Sequence, residues 1–179
     1  MKEKLAPTIV LGVICLVAAL LLAAVNGVTA PQIEKINIEN ANAARQEVLP
    51  EATSFKQLDV DLLDGVTEVY ESENGVGYVI TSAAKGFGGN ITVMTAITPE
   101  GSIEAIKVTD ASNETPGLGS KTTTPEHAAK FAGKSSVSMD DPAAADYVAP
   151  VSGASYSSKG VFNAVSAALE QYAKIGGAQ

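Results

Sequence analysis

The sequence predicts an α+β protein: an N-terminal transmembrane helix followed by one domain with an antiparallel sheet and flanking helices. Three patterns predict it. Residues 6–28 are an uncharged apolar run, residues 65–110 alternate apolar with polar side chains, and residues 159–174 repeat apolar side chains at helical spacing.

The apolar run, "APTIVLGVICLVAALLLAAVNGV" from Ala6 to Val28, has only Thr8 and Asn26 as polar side chains. A helix crossing a bilayer needs roughly 20 apolar residues, whereas the apolar core of a cleavable signal is roughly 7–15. Val28-Thr29-Ala30 has the small residues of a cleavage site, but Pro31 follows directly. Cys15 makes a poor lipid-attachment site, because bulky Ile14 precedes it and the run continues past it. Residues 1–30 are therefore expected to be a tail and an uncleaved anchor, held in the lipid bilayer by residues 6–28. Lys2 and Lys4 precede the span, which places the N-terminus in the cytoplasm and the rest of the chain outside.

Residues 31–179 carry 10 Lys and Arg against 19 Asp and Glu, a net charge of −9. So acidic a domain is a poor partner for nucleic acid or an anionic lipid surface. Its length suits one domain with one core. Cys15, inside the span, is the only cysteine, so the outer domain has no disulfide, thiol nucleophile or cysteine metal site.

Residues 31–50 are expected to form a separate juxtamembrane helix. Ile33, Ile36, Ala41, Ala44 and Val48 have helical spacing, Pro31 suits a helix start, and Pro50 ends it. The outer domain is residues 51–179. Its strands are "GVTEVYES", "VGYVITSAA", "NITVMTAIT" and "SIEAIKVTD", a four-stranded antiparallel meander with one buried face. Asn74-Gly75 and Glu100-Gly101 provide turn chemistry between them. Ala111–Thr123 reads as structureless, and Thr124-Pro125 as the start of a short helix. The stretch up to Ser158 is mostly loop, with a strand expected near Tyr147. The final helix carries Val161, Phe162, Val165, Leu169 and Tyr172 on one stripe.

His127 is the only histidine, with no carboxylate at ligand spacing except adjacent Glu126, and so reads as structural rather than metal-binding. Asp140-Asp141-Pro142 reads as a turn. No metalloprotease, nucleophile-elbow or phosphate-loop motif is present.

Three glycine loops remain: "KGFGGN" (85–90), "NETPGLGS" (113–120) and "PVSGASYSS" (150–158). Singly, these read as a bulged loop, a turn with positive φ at Gly117 or Gly119, and a serine N-cap. The third offers more. Gly153 and Ala154 leave backbone N–H groups unshielded, and the positive end of a helix follows, an arrangement that suits a phosphate. A phosphate there is close enough for the Ser155 hydroxyl to be esterified to it. Serine has no redox chemistry of its own, so electron transfer would belong to a bound cofactor.

Taken together and in this order, "GFGGN", "ETPGLG" with "EHAAKFAG", and "SGAS-Y-SS" before a C-terminal helix resemble the FMN-binding domains of the G subunits of Rnf electron-transport complexes. They also resemble those of the C subunits of sodium-pumping NADH:quinone oxidoreductases. The resemblance covers essentially the whole chain, whose short length is closer to the Rnf protein. It implies FMN held by phosphoester on Ser155, attached by a flavin transferase that uses FAD. It places Glu114, Thr115, Leu118 and Gly119 on a loop lining the flavin and Gly88 and Gly89 on a nearby loop. Ser157 and Ser158 would contact phosphate or ribityl, next to Ser152, Gly153 and Ala154. The family's usual acceptor is threonine, and its transferase signature prefers aspartate six residues earlier, where this chain has Ala149; Asp146 lies three residues further off. Covalent and non-covalent FMN are thus both open.

The implied protein is a single-pass component of a bacterial or archaeal cell membrane. It would relay electrons among the other membrane subunits of an ion-translocating complex, as a carrier rather than a self-contained enzyme. A stand-alone flavin carrier feeding an extracytoplasmic reductase, and an anchored binding module without a cofactor, are the alternatives.

Overall fold

The computed structural model describes residues 2–176. The side chains of Lys2 and Lys4, which carry the orientation argument, lie outside what is described. The chain divides into two compact units, Met1–Ala41 and Asn42–Gln179.

The first unit is helical, part of α1 (Lys2–Val48). A stretch of mean hydropathy 2.5 with no burial makes this helix long and apolar enough to cross a membrane. Leu11, Leu16, Leu20 and Leu21 are each more than 60% exposed, which lipid tolerates and water does not. Pro31 does not open a second helix, as the sequence suggested. The helix runs through it at the loss of one ladder bond, the one its missing N–H would have made to Gly27.

In the second unit an antiparallel meander has the order β1-β2-β3-β4-β5. The strands are β1 (Phe55–Gln57), β2 (Val66–Ser72), β3 (Tyr78–Lys85), β4 (Asn90–Ile97) and β5 (Ile103–Asp110). The four expected strands are present. β1 is additional, and its three half-exposed or exposed residues are too few to show alternation. Gly75 at φ +72° and Gly101 at φ +84° make the turns after β2 and β4.

α3 (Ser155–Lys174) packs on one sheet face, where Ile91, Val93, Ile103, Phe131, Phe162 and Val165 form a core. Ser82 Oγ donates to the Ala164 carbonyl at 2.7 Å, tying β3 to this helix. The other face is not left to solvent, contrary to the single buried face expected: Val79, Met94 and Ala96 are also buried. At β2, Arg45 stacks 3.6 Å from the Tyr70 ring centroid and pairs with Glu68 at 3.0 Å.

Between β5 and α3 the chain is less irregular than expected, with a 3₁₀ turn at Gly119–Thr123 and the short helix α2 (Pro125–Ala128). Thr124 precedes Pro125 as anticipated, but its hydroxyl donates back to the Lys121 carbonyl and does not cap α2. Near Tyr147 there is one parallel bridge to Ser138 in place of a strand. Asp141 accepts the Ala143 N–H at 2.9 Å, which makes the Asp-Asp-Pro segment a turn.

Candidate functional site

Three loops converge beside the N-terminus of α3. Gly86–Gly89 close the β3–β4 hairpin, with Lys85 opposite Asn90 and the Gly86 N–H on the Gly89 carbonyl at 2.7 Å. A side chain at Gly88 would overlap the Asn113 carbonyl, and one at Gly89 would lie 3.0 Å from the Asn113 side chain. These glycines let the second loop lie directly against the first. Phe87, between them, is 68% exposed.

The second loop leaves β5 through an Asx turn. The Ser112 N–H donates to Asp110 at 2.9 Å, a bond that holds the Asp110 carboxyl below the usual carboxylate range. Gly117, at φ +76° with open space around it, supplies the left-handed residue of its tip. Gly119 is not left-handed. Its need is steric: a Cβ would lie 2.6 Å from Oε2 of Glu114 and 2.8 Å from Oγ of Ser157.

The third loop turns at Gly153, φ +78°, with the Ala154 N–H on the Val151 carbonyl at 2.9 Å. A Cβ at Gly153 would lie 3.1 Å from Cδ1 of Leu118, so the second and third loops also touch. α3 begins at Ser155, four residues before the Lys159 at which its periodicity becomes readable. Its N-cap position is Ala154, with no side-chain cap, so the serine-cap reading of this loop does not hold. The Ser155 side chain is exposed, and its hydroxyl has no hydrogen-bond partner among the described residues. The backbone N–H groups of Ser155, Tyr156 and Ser157 are the unpaired first-turn donors of a helix.

Among these loops lies a cleft of about 200 Å³, lined by Phe87, Thr115, Leu118, Gly119, Gly153, Ala154, Ser155, Tyr156 and Ser157. Seven of the residues expected at the site thus meet in one place. The others lie around it. Ser152 is exposed beside the cleft, and Gly88 and Gly89 pack on Asn113. Ser158 is fully buried, its Oγ accepting the Val151 N–H at 2.9 Å. Ser157 is 3% exposed and donates to Glu114. The 5%-exposed Glu114 also accepts the Gly88 N–H at 3.1 Å. The Ser157 and Ser158 hydroxyls are therefore engaged with the protein's own groups.

Phe87 and Tyr156 escaped sequence reasoning. Both line the cleft, with ring centroids 6.4 Å apart and the rings tilted at 55° to one another. Among the described residues of the second unit, the exposed large apolar side chains are Leu62, Phe87, Leu118 and Tyr156, and three of these rim this cleft. Such a cluster marks a binding surface. The available signal was an aromatic residue inside each of two glycine-rich loops, in a chain with few aromatics.

Charge is also uneven. Lys85, Lys121 and Lys159, all exposed, and buried Glu114 are the only charged residues of the stretches 85–90, 113–123 and 150–160, in an otherwise acidic domain. Lys159 stands one helical turn from Ser155 on the same face. The site suits an anionic ligand with a flat apolar part.

Residues 86–170 match the FMN-binding domain family. A solved relative in fold is the C subunit of the Na(+)-translocating NADH-quinone reductase from Parabacteroides distasonis. It has a TM-score of 0.50 and 24% identity, over 61% of this chain and 60% of that one. The G subunit of the Na(+)-translocating ferredoxin:NAD(+) oxidoreductase complex of Acetobacterium woodii is 33% identical, covering 93% of this chain and 90% of the relative. Its counterpart in the ion-translocating oxidoreductase complex of Methanosarcina acetivorans is 32% identical, over 94% of both chains. The counterpart in the proton-translocating ferredoxin:NAD(+) oxidoreductase complex of Clostridium ljungdahlii is 26% identical, over 90% of this chain and 87% of the relative. An FMN-binding domain behind an apolar N-terminal helix, with such identity over nearly its whole length, places this chain in the family of G subunits of Rnf-type ion-translocating oxidoreductase complexes.

Proposed function

We propose that this chain is a single-pass membrane protein that carries FMN as a phosphoester on Ser155 and relays electrons to and from the other membrane subunits of an Rnf-type ion-translocating complex. Residues 1–30 are its tail and anchor, residues 31–50 its juxtamembrane segment, and residues 51–179 its extracytoplasmic flavin domain. The positive-inside bias of Lys2 and Lys4 supports this orientation.

The observation that carries the reading is the Ser155 hydroxyl. It is exposed and uncapped at the first residue of a helix, beside a cleft rimmed by Phe87, Leu118 and Tyr156. The unpaired N–H groups of the first turn and the Lys159 ammonium favour a phosphate there. The aromatic pair favours a flat ring at the cleft mouth. A cleft of about 200 Å³ is smaller than the roughly 300–1,000 Å³ that buries most of a drug-sized ligand. A covalent tether would add to the hold of so small a cleft on an FMN-sized group.

Attachment requires a flavin transferase and FAD. The Ser155 oxygen bonds to the FMN phosphorus, the pyrophosphate bond breaks, AMP leaves, and the hydroxyl proton is released. Serine offers the same reacting oxygen as the threonine more usual in the family. Bound FMN supplies the electron uptake and release that no side chain of this domain provides. Ser155 would hold it, the first-turn N–H groups of α3 and Lys159 would favour its phosphate, and Phe87, Leu118 and Tyr156 would offer apolar surface to its ring.

The test is the intact mass of the membrane-purified protein, co-produced with a flavin transferase, with peptide mapping of residues 135–159. The expected result is one FMN less one water on the peptide holding Ser155, absent in Ser155→Ala. Flavin released on denaturation from an unmodified chain would replace the covalent reading with a non-covalent one. No flavin in either form would refute both.

A further inference from the structure

Behind the residues that line the cleft lies Glu114. Its carboxylate is 5% exposed and bound at both ends: Oε1 accepts the Gly88 N–H at 3.1 Å, and Oε2 accepts the Ser157 hydroxyl. The two donors lie 26 and 43 residues away in sequence, on the other two loops of the site. Space around the carboxylate is kept by glycine: a Cβ at Gly86 would overlap Oε1, and one at Gly119 would lie 2.6 Å from Oε2. Gly160, next on α3, packs on Gly86, where a Cβ would meet the Gly86 Cα at 3.0 Å.

Burying a carboxylate is costly unless its oxygens are satisfied, and apolar side chains can hold loops together without that cost. What a carboxylate adds is direction. Its two oxygens fix two donors at set angles, and here those donors belong to the hairpin loop carrying Phe87 and to the first turn of α3 carrying Ser155. Gly119, which lines the cleft, separates the carboxylate from it by no more than a backbone.

We propose that Glu114 is the positioning residue of this site: by fixing Gly88 and Ser157 at once it aims the Ser155 hydroxyl and sets the spacing of the Phe87–Tyr156 mouth. The proposal rests on the reading of Ser155 as the FMN acceptor. A glutamine can still accept the Gly88 N–H and donate to the Ser157 hydroxyl, whereas a methionine keeps the length of the side chain and offers neither loop an oxygen.

The experiment compares wild type, Glu114→Met, Ser157→Ala and the double variant as full-length protein in detergent. Two quantities are read: the rate of FMN attachment at saturating flavin transferase and FAD, followed by intact mass, and hydrogen exchange of the flavin-free proteins. Glu114→Met is expected to lower the attachment rate constant at least tenfold while the final extent approaches wild type. A partly unfolded population would instead lower the extent and leave the rate of the loading fraction unchanged. Exchange is expected to rise in 86–90 and 153–160 together. Because both single variants break the same tie, the double variant should be no slower than the slower single one. Wild-type attachment rate in Glu114→Met, or exchange that rises evenly over the domain, overturns the role of Glu114. Wild-type protein that never takes FMN overturns the acceptor reading itself and this proposal with it. In that case exchange still reports whether the tie exists.

Discussion

Gly119→Ala places a methyl group where the fold has no room. The new Cβ would lie 2.6 Å from Oε2 of Glu114, 2.8 Å from Oγ of Ser157 and 3.1 Å from Cβ of Glu114, against the ~3.5–4.0 Å of comfortable carbon contacts. Neither oxygen can swing away freely, since each is bonded to the other and Glu114 also holds the Gly88 N–H. Gly119 is outside the left-handed region, so backbone strain adds nothing and the clash decides the outcome. Overpacking of this kind costs about 1–3 kcal/mol. Losing a hydrogen bond to a charged group adds about 1.5–3 kcal/mol. Alanine recovers about 0.5–1 kcal/mol through its smaller unfolded-state entropy.

The net loss is roughly 1.5–5.5 kcal/mol, or a fall in Tm of about 3–22 °C for a protein of this size. The control is Gly117→Ala, where φ is +76° and nothing lies within 4 Å; a left-handed penalty of about 1–2 kcal/mol applies there, offset by the same gain from the unfolded state. The assay is thermal unfolding of both full-length variants in detergent, with flavin content measured in parallel. Gly119→Ala melting at or above Gly117→Ala would refute the reasoning, because the carboxylate would then not be fixed against Gly119.

Other expectations follow from particular contacts. Burial, and secondarily the Lys130 charge, lowers the His127 pKa to about 4. The folded state thus disfavours the proton, so stability is full above the unfolded pKa of ~6.5 and falls as pH drops, by about 3 kcal/mol at pH 4. With both ring nitrogens unpartnered and the ring edge-on to Phe131, His127→Phe should flatten this acid limb in melts between pH 7 and 4; an unchanged limb would place its cause elsewhere. Arg45→Ala removes a 3%-exposed guanidinium from Tyr70, Asn42 and Glu68, and should cost about 2 kcal/mol or more. Glu68→Gln, at a 39%-exposed partner, should cost under about 1 kcal/mol; equal losses in denaturant melts would contradict this account of the pair. Phe87→Ala and Tyr156→Ala alter exposed rings, so Tm should stay within the equivalent of about 0.5 kcal/mol while the absorbance and fluorescence of bound flavin change. Unaltered flavin spectra in both would argue against aromatic contact with the ring.

Much of the fold was legible because its signals are local. An apolar run of bilayer length, alternation along β2 to β5 and the stripe of α3 can each be read within a window of a few residues. β1 was not legible because three residues make no period. The start of α3 at Ser155 was missed because serine, glycine and alanine carry no apolar pattern. Pro31 misled because a helix-start signal and a tolerated interior proline look alike in sequence.

The sequence by itself determined the apolar anchor, the meander, the final helix and the three glycine loops, with Ser155 in the loop best suited to a phosphate. Which residues face the cleft and which stand behind it was decided only by the tertiary structure. Gly117 and Gly119, two residues apart in one motif, are both glycine for unrelated reasons, one for φ +76° and the other for a carboxylate 2.6 Å from where its Cβ would lie. Ser155 and Ser157, equally hydroxylic in sequence, part ways as well: one stands exposed at the cleft and the other is spent on Glu114, 43 residues away. Periodicity and turn chemistry act between neighbours along the chain. Steric exclusion and hydrogen bonding between distant segments exist only once the chain has packed.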